Sequence, residues 1–203
     1  MAGDSVLLSE AGSADSDPLR DYGQARRVGE IDWRRWRAVD TATLVFVQEG
    51  DQVLLIDKKR GLGKGKVNGP GGKVDPGETV EQCAVRECRE ELGIEVADIE
   101  CLGEHRFQFV DGYSIHCFVF RTGTYRGEPR ETPEAAPRWT PIDAIPYDLM
   151  WEDDALWLPL LLRGQAFVGN WIFDDDRMVD HELILRDRIE AVARHPLAPT
   201  DTD

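Results

Sequence analysis

Between Thr79 and Gly93 the chain writes both ends of a helix in its own chemistry, and this stretch constrains the fold more than any other. Thr79, followed three residues later by Gln82, predicts a capping box, in which each side chain satisfies a backbone amide that the first turn leaves free. Gly93 stands where a left-handed residue would stop the helix. At about 100° per residue, Glu87, Glu90 and Glu91 fall within an arc of roughly 100° on one face. Val80, Ala84, Cys88 and Leu92 mark an opposing, buried seam. Like charges at this spacing cost roughly 0.2–0.5 kcal/mol per pair. They also crowd the last turns, where the macrodipole disfavours negative charge. For the helix alone, a solvated acidic face remains the alternative. A sequence that accepts both penalties is nevertheless consistent with compensation by a cation, and clustered carboxylate oxygens suit a hard divalent ion.

The preceding loop strengthens that reading. Lys58, Lys59, Arg60, Lys64, Lys66 and Lys73 occur with no acidic residue between Lys58 and Lys73, in a chain of net charge −15. Gly61, Gly63, Gly65, Gly69, Gly71 and Gly72 let backbone N–H groups approach an anion closely. The loop does not have the G-x-x-x-x-G-K-[ST] spacing of a Walker A motif. Cations and glycines beside clustered carboxylates describe a polyphosphate pocket, in which a metal joins acidic protein to anionic ligand. The balance of 24 Lys+Arg against 39 Asp+Glu argues against a nucleic-acid polymer or an anionic membrane surface as partner.

A length of 203 residues suits one domain with extensions. Residues 1–37 are expected to form a largely flexible N-terminal extension, 38–190 the folded domain and 191–203 a C-terminal tail. Residues 1–19 are rich in Ser, Ala, Gly and Asp and contain no Lys or Arg. Between Arg26 and Arg37 the charge reverses, and Trp33 and Trp36 are expected to pack onto the domain; a partner-binding arm is the alternative. Thr43–Val47 and Val53–Ile56 flank Glu49-Gly50-Asp51 and predict a hairpin. A second strand pair, Arg106–Val110 and Ile115–Phe120, is joined by Asp111-Gly112, and a proline-rich loop is expected over 129–146. A short helix over Leu156–Leu162 and a hairpin of Phe167–Phe173 with Met178–Leu185 complete a mixed α/β reading. Cys83, Cys88, Cys101 and Cys117 have no C-x-x-C or zinc spacing and read as reduced, mostly buried thiols. With no apolar stretch long enough for a membrane span and no signal-peptide pattern at the start, a cytoplasmic protein is expected.

The spacing Gly72, Glu78, Arg86-Glu87, Glu90-Glu91, Gly93-Ile94 resembles the Nudix box, G-x5-E-x7-R-E-U-x-E-E-x-G-U, with Cys88 where a bulky aliphatic residue is usual. The resemblance implies an α/β/α sandwich with a mixed sheet and hydrolysis dependent on Mg2+, or Mn2+. It also implies Glu87, Glu90, Glu91 and Gly71 as metal ligands, with Glu78 and Arg86 as a supporting pair. Glu91, Glu90 and Glu134 are the candidates for general base.

Over roughly residues 40–187 the likeness is to those family members that hydrolyse oxidised purine nucleoside triphosphates. It rests on Lys58-Lys59-Arg60-Gly61, Gly71-Gly72-Lys73-Val74, Met150-Trp151, Asp153-Asp154 and Pro159-Leu160-Leu161-Leu162. That likeness implies Lys58, Asn68, Phe107, Trp151, Asp153 and Asp154 as substrate-binding residues, with Phe109 close by. Trp151 suits stacking on a purine, and Asn68 offers both donor and acceptor. Adjacent carboxyls in a dry pocket do not easily both ionise, so one of Asp153 and Asp154 can donate to an oxo group while the other accepts from a ring N–H. Leu62, Val67 and Pro70 replace aromatic residues and predict a less aromatic pocket. The implied activity is cleavage of 8-oxo-dGTP and 2-hydroxy-dATP to monophosphate and pyrophosphate, by a monomer that cleanses the nucleotide pool. Hydrolysis of other nucleotides, dinucleoside polyphosphates or ADP-ribose, and a non-catalytic nucleotide sensor, are the alternatives.

Overall fold

The computed structural model describes residues 22–189. The acidic segment 1–19 and the tail 191–203 lie outside the described residues. Strand β1 (Asp40–Glu49) and strand β2 (Gln52–Lys58) form the first hairpin, with Val47 opposite Leu54 and Glu49 opposite Gln52. Gly50 turns the corner at φ 60°, a conformation glycine adopts without a Cβ clash. Next come β3 (Val67–Asn68), helix α1 (Val80–Leu92), β4 (Glu95–Ala97), β5 (Glu100–Phe109) and β6 (Ser114–Thr122). They are followed by β7 (Thr124–Arg126), β8 (Ala135–Pro141), α2 (Asp154–Leu162), β9 (Ala166–Asp174) and β10 (Arg177–Arg186).

Eight strands form one mixed sheet in the order β10-β9-β5-β6-β1-β2-β3, with β8 also paired to β2. The β1–β6 and β5–β9 pairs are parallel. Successive side chains on a strand point to opposite faces, and this alternation divides the core. Val45, Val47, Leu54, Ile56, Phe118 and Phe120 pack with Val80, Ala84, Cys88 and Leu92 of α1. Phe46, Val53, Leu55, Cys117 and Val119 pack with Trp157, Leu158 and Leu161 of α2. The result is the α/β/α sandwich.

The structure differs from the sequence expectations in two places. First, the proline-rich stretch is not all loop: Ala135–Pro141 is strand β8, antiparallel to the whole of β2. Pro137 and Pro141 share parity, so on an edge strand both missing N–H groups can face away from the partner. Second, α2 begins at Asp154, two residues before the expected start. The described part of the extension, from Tyr22 onward, is packed, with Trp33 and Trp36 on the domain as the sequence reading expected. Ile31 and Trp36 are buried against Ile172 of β9, the Trp33 indole donates to Val28 O at 2.9 Å, and Val28 N donates to Asp180 Oδ2 at 2.9 Å. Apolar side chains on 25–36 cover the end of the sheet, which a domain starting at 38 would leave exposed to water.

Candidate active site

A cavity of about 470 Å³ opens beside β1, β2 and the glycine-rich loop. Lys58, Asn68, Gly71, Glu87, Glu91, Phe107, Glu134, Trp151, Asp153 and Asp154 all line it. Glu90, Glu78 and Arg86 do not.

The cap chemistry of α1 is as its sequence dictates. Gln82 N donates to Thr79 Oγ1, and Thr79 N donates to Gln82 Oε1 at 2.9 Å. Gly93 closes the helix at φ 71°, ψ 23°, its N–H donating to Arg89 O. The carboxylates are arranged differently from the simple wheel. Residues four apart drift by about 40° per step, so Glu87 and Glu91 flank the apolar seam rather than oppose it, and both are buried. Burial pushes both carboxyls above their usual range, opposed at Glu87 by Arg86 and at Glu91 by Lys58.

Each glutamate is held by named partners. Arg86 donates to both oxygens of Glu78 at 2.9 Å, to Glu87 Oε1 at 2.7 Å, to Glu90 Oε2 at 3.1 Å and to Lys73 O at 3.0 Å. The expected Glu78–Arg86 pair is therefore a bidentate fork that also pins the loop to the helix, and it holds Glu78 below the ordinary carboxylate range. Glu90 faces outward. Lys58 Nζ donates to Glu91 Oε1 at 3.1 Å and to Gly71 O at 3.2 Å, while Gly71 N donates to Glu91 Oε2 at 2.9 Å. Glu134 accepts from exposed Arg60 at 2.9 Å.

Among the described residues, no three His, Cys, Asp or Glu side chains already converge as a metal cluster. The donor chemistry nonetheless fits a hard divalent cation. Glu87, Glu91 and Gly71 O supply only oxygen, and Lys58 shows that positive charge is accommodated between Gly71 O and Glu91. Backbone and carboxylate meet so closely that a Cβ on Gly72 would lie 2.4 Å from Glu87 Oε1, and one on Gly71 would lie 2.0 Å from Thr43 O.

The second cluster is aromatic and acidic. Asp154 Oδ2 accepts from Trp151 N at 2.9 Å, and Asp153 Oδ2 accepts from Trp157 Nε1 at 2.8 Å. Asp153 Oδ1 is buried with no hydrogen-bond partner among the described residues. Burial raises both carboxyls, and the charge of Asp153 raises Asp154 further, so the pair holds protons that exposed aspartates would have lost. Trp151 stands edge-on to Phe173 with centroids 5.5 Å apart. Lys66 Nζ lies 4.9 Å from the Trp151 ring centroid and 3.4 Å from Asp176.

Sequence reasoning missed a third group on the cavity wall. Tyr113 donates to Asp40 Oδ2 at 2.6 Å, and Lys73 pairs with the same oxygen at 2.6 Å. All three residues line the cavity. They stand 33 to 73 positions apart, and no local spacing signals their meeting. The four thiols are unpaired, and burial pushes Cys83 and Cys101 up to about 12.

A helix-borne set of buried carboxylates facing a glycine-rich cationic loop on an α/β/α sandwich defines a class, and sequence comparison agrees. The model of the NUDIX domain matches residues 37–161, and the chain belongs to the Nudix hydrolase family. Oxidized purine nucleoside triphosphate hydrolase of Danio rerio is 46% identical over 143 residues, covering 70% of this chain and 92% of the relative. The protein of the same name from Mus musculus is 41% identical with the same coverage. The crystal structure of the mutator MutT protein from Bacillus halodurans superposes with a TM-score of 0.65 at 27% identity, covering 71% of this chain and 97% of that one. No helix among the described residues is long and apolar enough to cross a membrane.

Proposed function

We propose that the protein hydrolyses oxidised purine nucleoside triphosphates, among them 8-oxo-dGTP and 2-hydroxy-dATP, to the monophosphate and pyrophosphate, and so clears them from the nucleotide pool. The observation that carries this reading is the buried Asp153–Asp154 pair beside Trp151, in the same cavity as Glu87 and Glu91. A protonated carboxyl donates to the oxo oxygen while its ionised neighbour accepts from a ring N–H. Asn68 adds an amide, and Trp151 stacks on the purine. The two relatives named for oxidised purine substrates favour this reading over ADP-ribose or dinucleoside polyphosphates.

Nudix hydrolases use divalent metal ions. Here Glu87, Glu91 and Gly71 O would hold Mg2+, or Mn2+, with Glu90 joining from the outer edge of the helix once Arg86 releases it. The ion would neutralise phosphate charge and favour ionisation of water. Lys58 binds the phosphate oxygens. Glu134 takes the proton of the attacking water, because its salt bridge to Arg60 is exposed while both oxygens of Glu91 are engaged. The water oxygen bonds to phosphorus as the bond linking the α and β phosphates breaks, and pyrophosphate leaves. Glu78 and Arg86 hold loop and helix in register. A monomer in the cytoplasm completes this reading, and four unpaired cysteines, of the kind kept in reducing compartments, favour that location.

Comparison of kcat/KM on 8-oxo-dGTP and dGTP tests the substrate, and equal values reject oxidised-purine selectivity. Glu91→Gln should abolish metal-dependent pyrophosphate release. Glu134→Gln should lower kcat by about a hundredfold or more, the usual contribution of a general base.

A further inference from the structure

The segment before β1 reaches into the wall of the cavity. Trp36 donates its indole N–H to Gln108 Oε1 at 2.9 Å, and both residues are buried. Gln108 passes the connection on: its amide donates to Phe109 O at 3.0 Å and to Tyr113 O at 3.2 Å, closing the turn between β5 and β6 from inside. Gln24 donates through both its backbone N and its side chain to Val110 O at 3.1 Å. Val39 N donates to Ser114 Oγ at 3.1 Å, and Ser114 lies opposite Gln108 in the strand register. Three points of the segment before β1 thus grip one turn.

That turn sets the aromatic side of the cavity. Phe107 and Phe109 flank Gln108 and line the cavity, as does Tyr113. Phe109 lies 5.7 Å from the Tyr113 ring and 5.9 Å from Phe173, which in turn touches Trp151 at 5.5 Å. Gln108 has one acceptor and two donor hydrogens to satisfy in a dry site. Without Trp36 its carbonyl oxygen would be buried unpaired, and the side chain would have reason to turn and withdraw from the Phe109 and Tyr113 carbonyls, leaving the turn held by Gly112 N and Phe109 N alone.

We infer that residues 24–39 form a strap that positions the base-binding wall, with Trp36 and Gln108 as positioning residues acting through Phe107, Phe109 and Tyr113. The inference rests on the substrate reading above only in naming the ligand as a purine nucleotide. The strap lies almost wholly before the matched NUDIX domain, which starts at residue 37. A misplaced wall weakens binding of substrate and transition state alike, which raises KM and spares kcat.

Trp36→Phe keeps an aromatic ring and removes the N–H. Gln24→Ala removes an exposed donor from the same turn and leaves the core intact. With 8-oxo-dGTP, KM should rise about three- to tenfold in Trp36→Phe, the range for one lost hydrogen bond, and by less in Gln24→Ala, while kcat is unchanged in both. Asp180→Ala, which frees Val28 elsewhere on the strap, should lower Tm and leave KM as it was. A wild-type KM in both Trp36→Phe and Gln24→Ala overturns the inference. So does an equal rise in Asp180→Ala, because the strap would then act through stability alone. Should Trp36→Phe fail to fold, Gln24→Ala and Asp180→Ala still decide. Equal use of 8-oxo-dGTP and dGTP by the wild type would refute the substrate reading alone, since the same KM comparison can be made on dGTP.

Discussion

A buried carboxylic acid that keeps its proton gives a hydrogen bond that a carboxylate cannot, and it does so at a cost to the fold. Asp154 is buried, and its pKa is raised above the ordinary 3.8 by burial and by the charge of Asp153. Between the ordinary value and the raised one, the folded state holds a proton that the unfolded chain has lost. Stability therefore falls as pH rises through that window. Asparagine removes the ionisation and keeps an oxygen for Trp151 N. Asp154→Asn should accordingly raise Tm relative to wild type at pH 7.5, with the gain shrinking towards pH 4. A Tm difference that is the same at both values would show that Asp154 does not carry the penalty. The same substitution should damage recognition. Either Asp153→Asn or Asp154→Asn should reduce the kcat/KM preference for 8-oxo-dGTP over dGTP by about tenfold or more, in line with the loss of a charge-assisted hydrogen bond. A preference like wild type in both variants would mean that the base is read elsewhere. More stable and less selective is a combination that a merely structural pair would not give.

At the scale of elements, α1 could be read from sequence because its code is local: Thr79 with Gln82, and Gly93 at the stop, act within one turn of each end. Thr79→Ala should cost about 1 kcal/mol, seen as a Tm lower by roughly 2–4 °C in a chain of this size. The divalent-ion dependence of turnover should not change, because Glu87, Glu90 and Glu91 sit two turns or more further on. A large shift in that dependence would mean that the cap also sets the carboxylates. What could not be read was the partner of each element. Pro137 and Pro141 disguised β8, because edge position, not composition, makes a strand with prolines tolerable. The burial of Glu87 and Glu91 follows from how α1 rolls onto Val45 and Ile56, a tertiary fact. Lys58 finds Glu91 across 33 residues and Tyr113 finds Asp40 across 73, distances at which no spacing rule operates. The Nudix spacing picked out Gly72, Glu87 and Glu91 of the cavity wall, because that motif encodes a loop–helix unit whose contacts are mostly short-range, whereas Asn68, Trp151, Asp153 and Asp154 were found only through the wider likeness. The strap was half legible: Trp33 and Trp36 read as packed, yet their hold on Gln108 did not.

For the molecule as a whole, the sheet acts as a partition. The cluster under α1 contains Leu92, the cluster under α2 contains Leu161, both fully buried, and no side chain is shared between the two. α1 carries the carboxylates, while α2 begins at Asp154 and contributes Trp157 to the base cluster. Each half of the chemistry therefore hangs on its own core. Leu92→Ala and Leu161→Ala should each cost about 2–5 kcal/mol in urea unfolding. The double variant should be additive within about 0.5 kcal/mol, because separate sites without shared partners do not couple. Their effects on catalysis should part company. Leu92→Ala loosens the last turn beside Glu91 and should raise the divalent-ion concentration needed for half-maximal rate, leaving the 8-oxo-dGTP to dGTP ratio in place. Leu161→Ala should lower that ratio and leave the ion requirement alone. If the energies proved strongly non-additive, or if either variant disturbed both readouts equally, the sheet would be a conduit between the two cores, and chemistry and base reading would have to be treated as one mechanical unit.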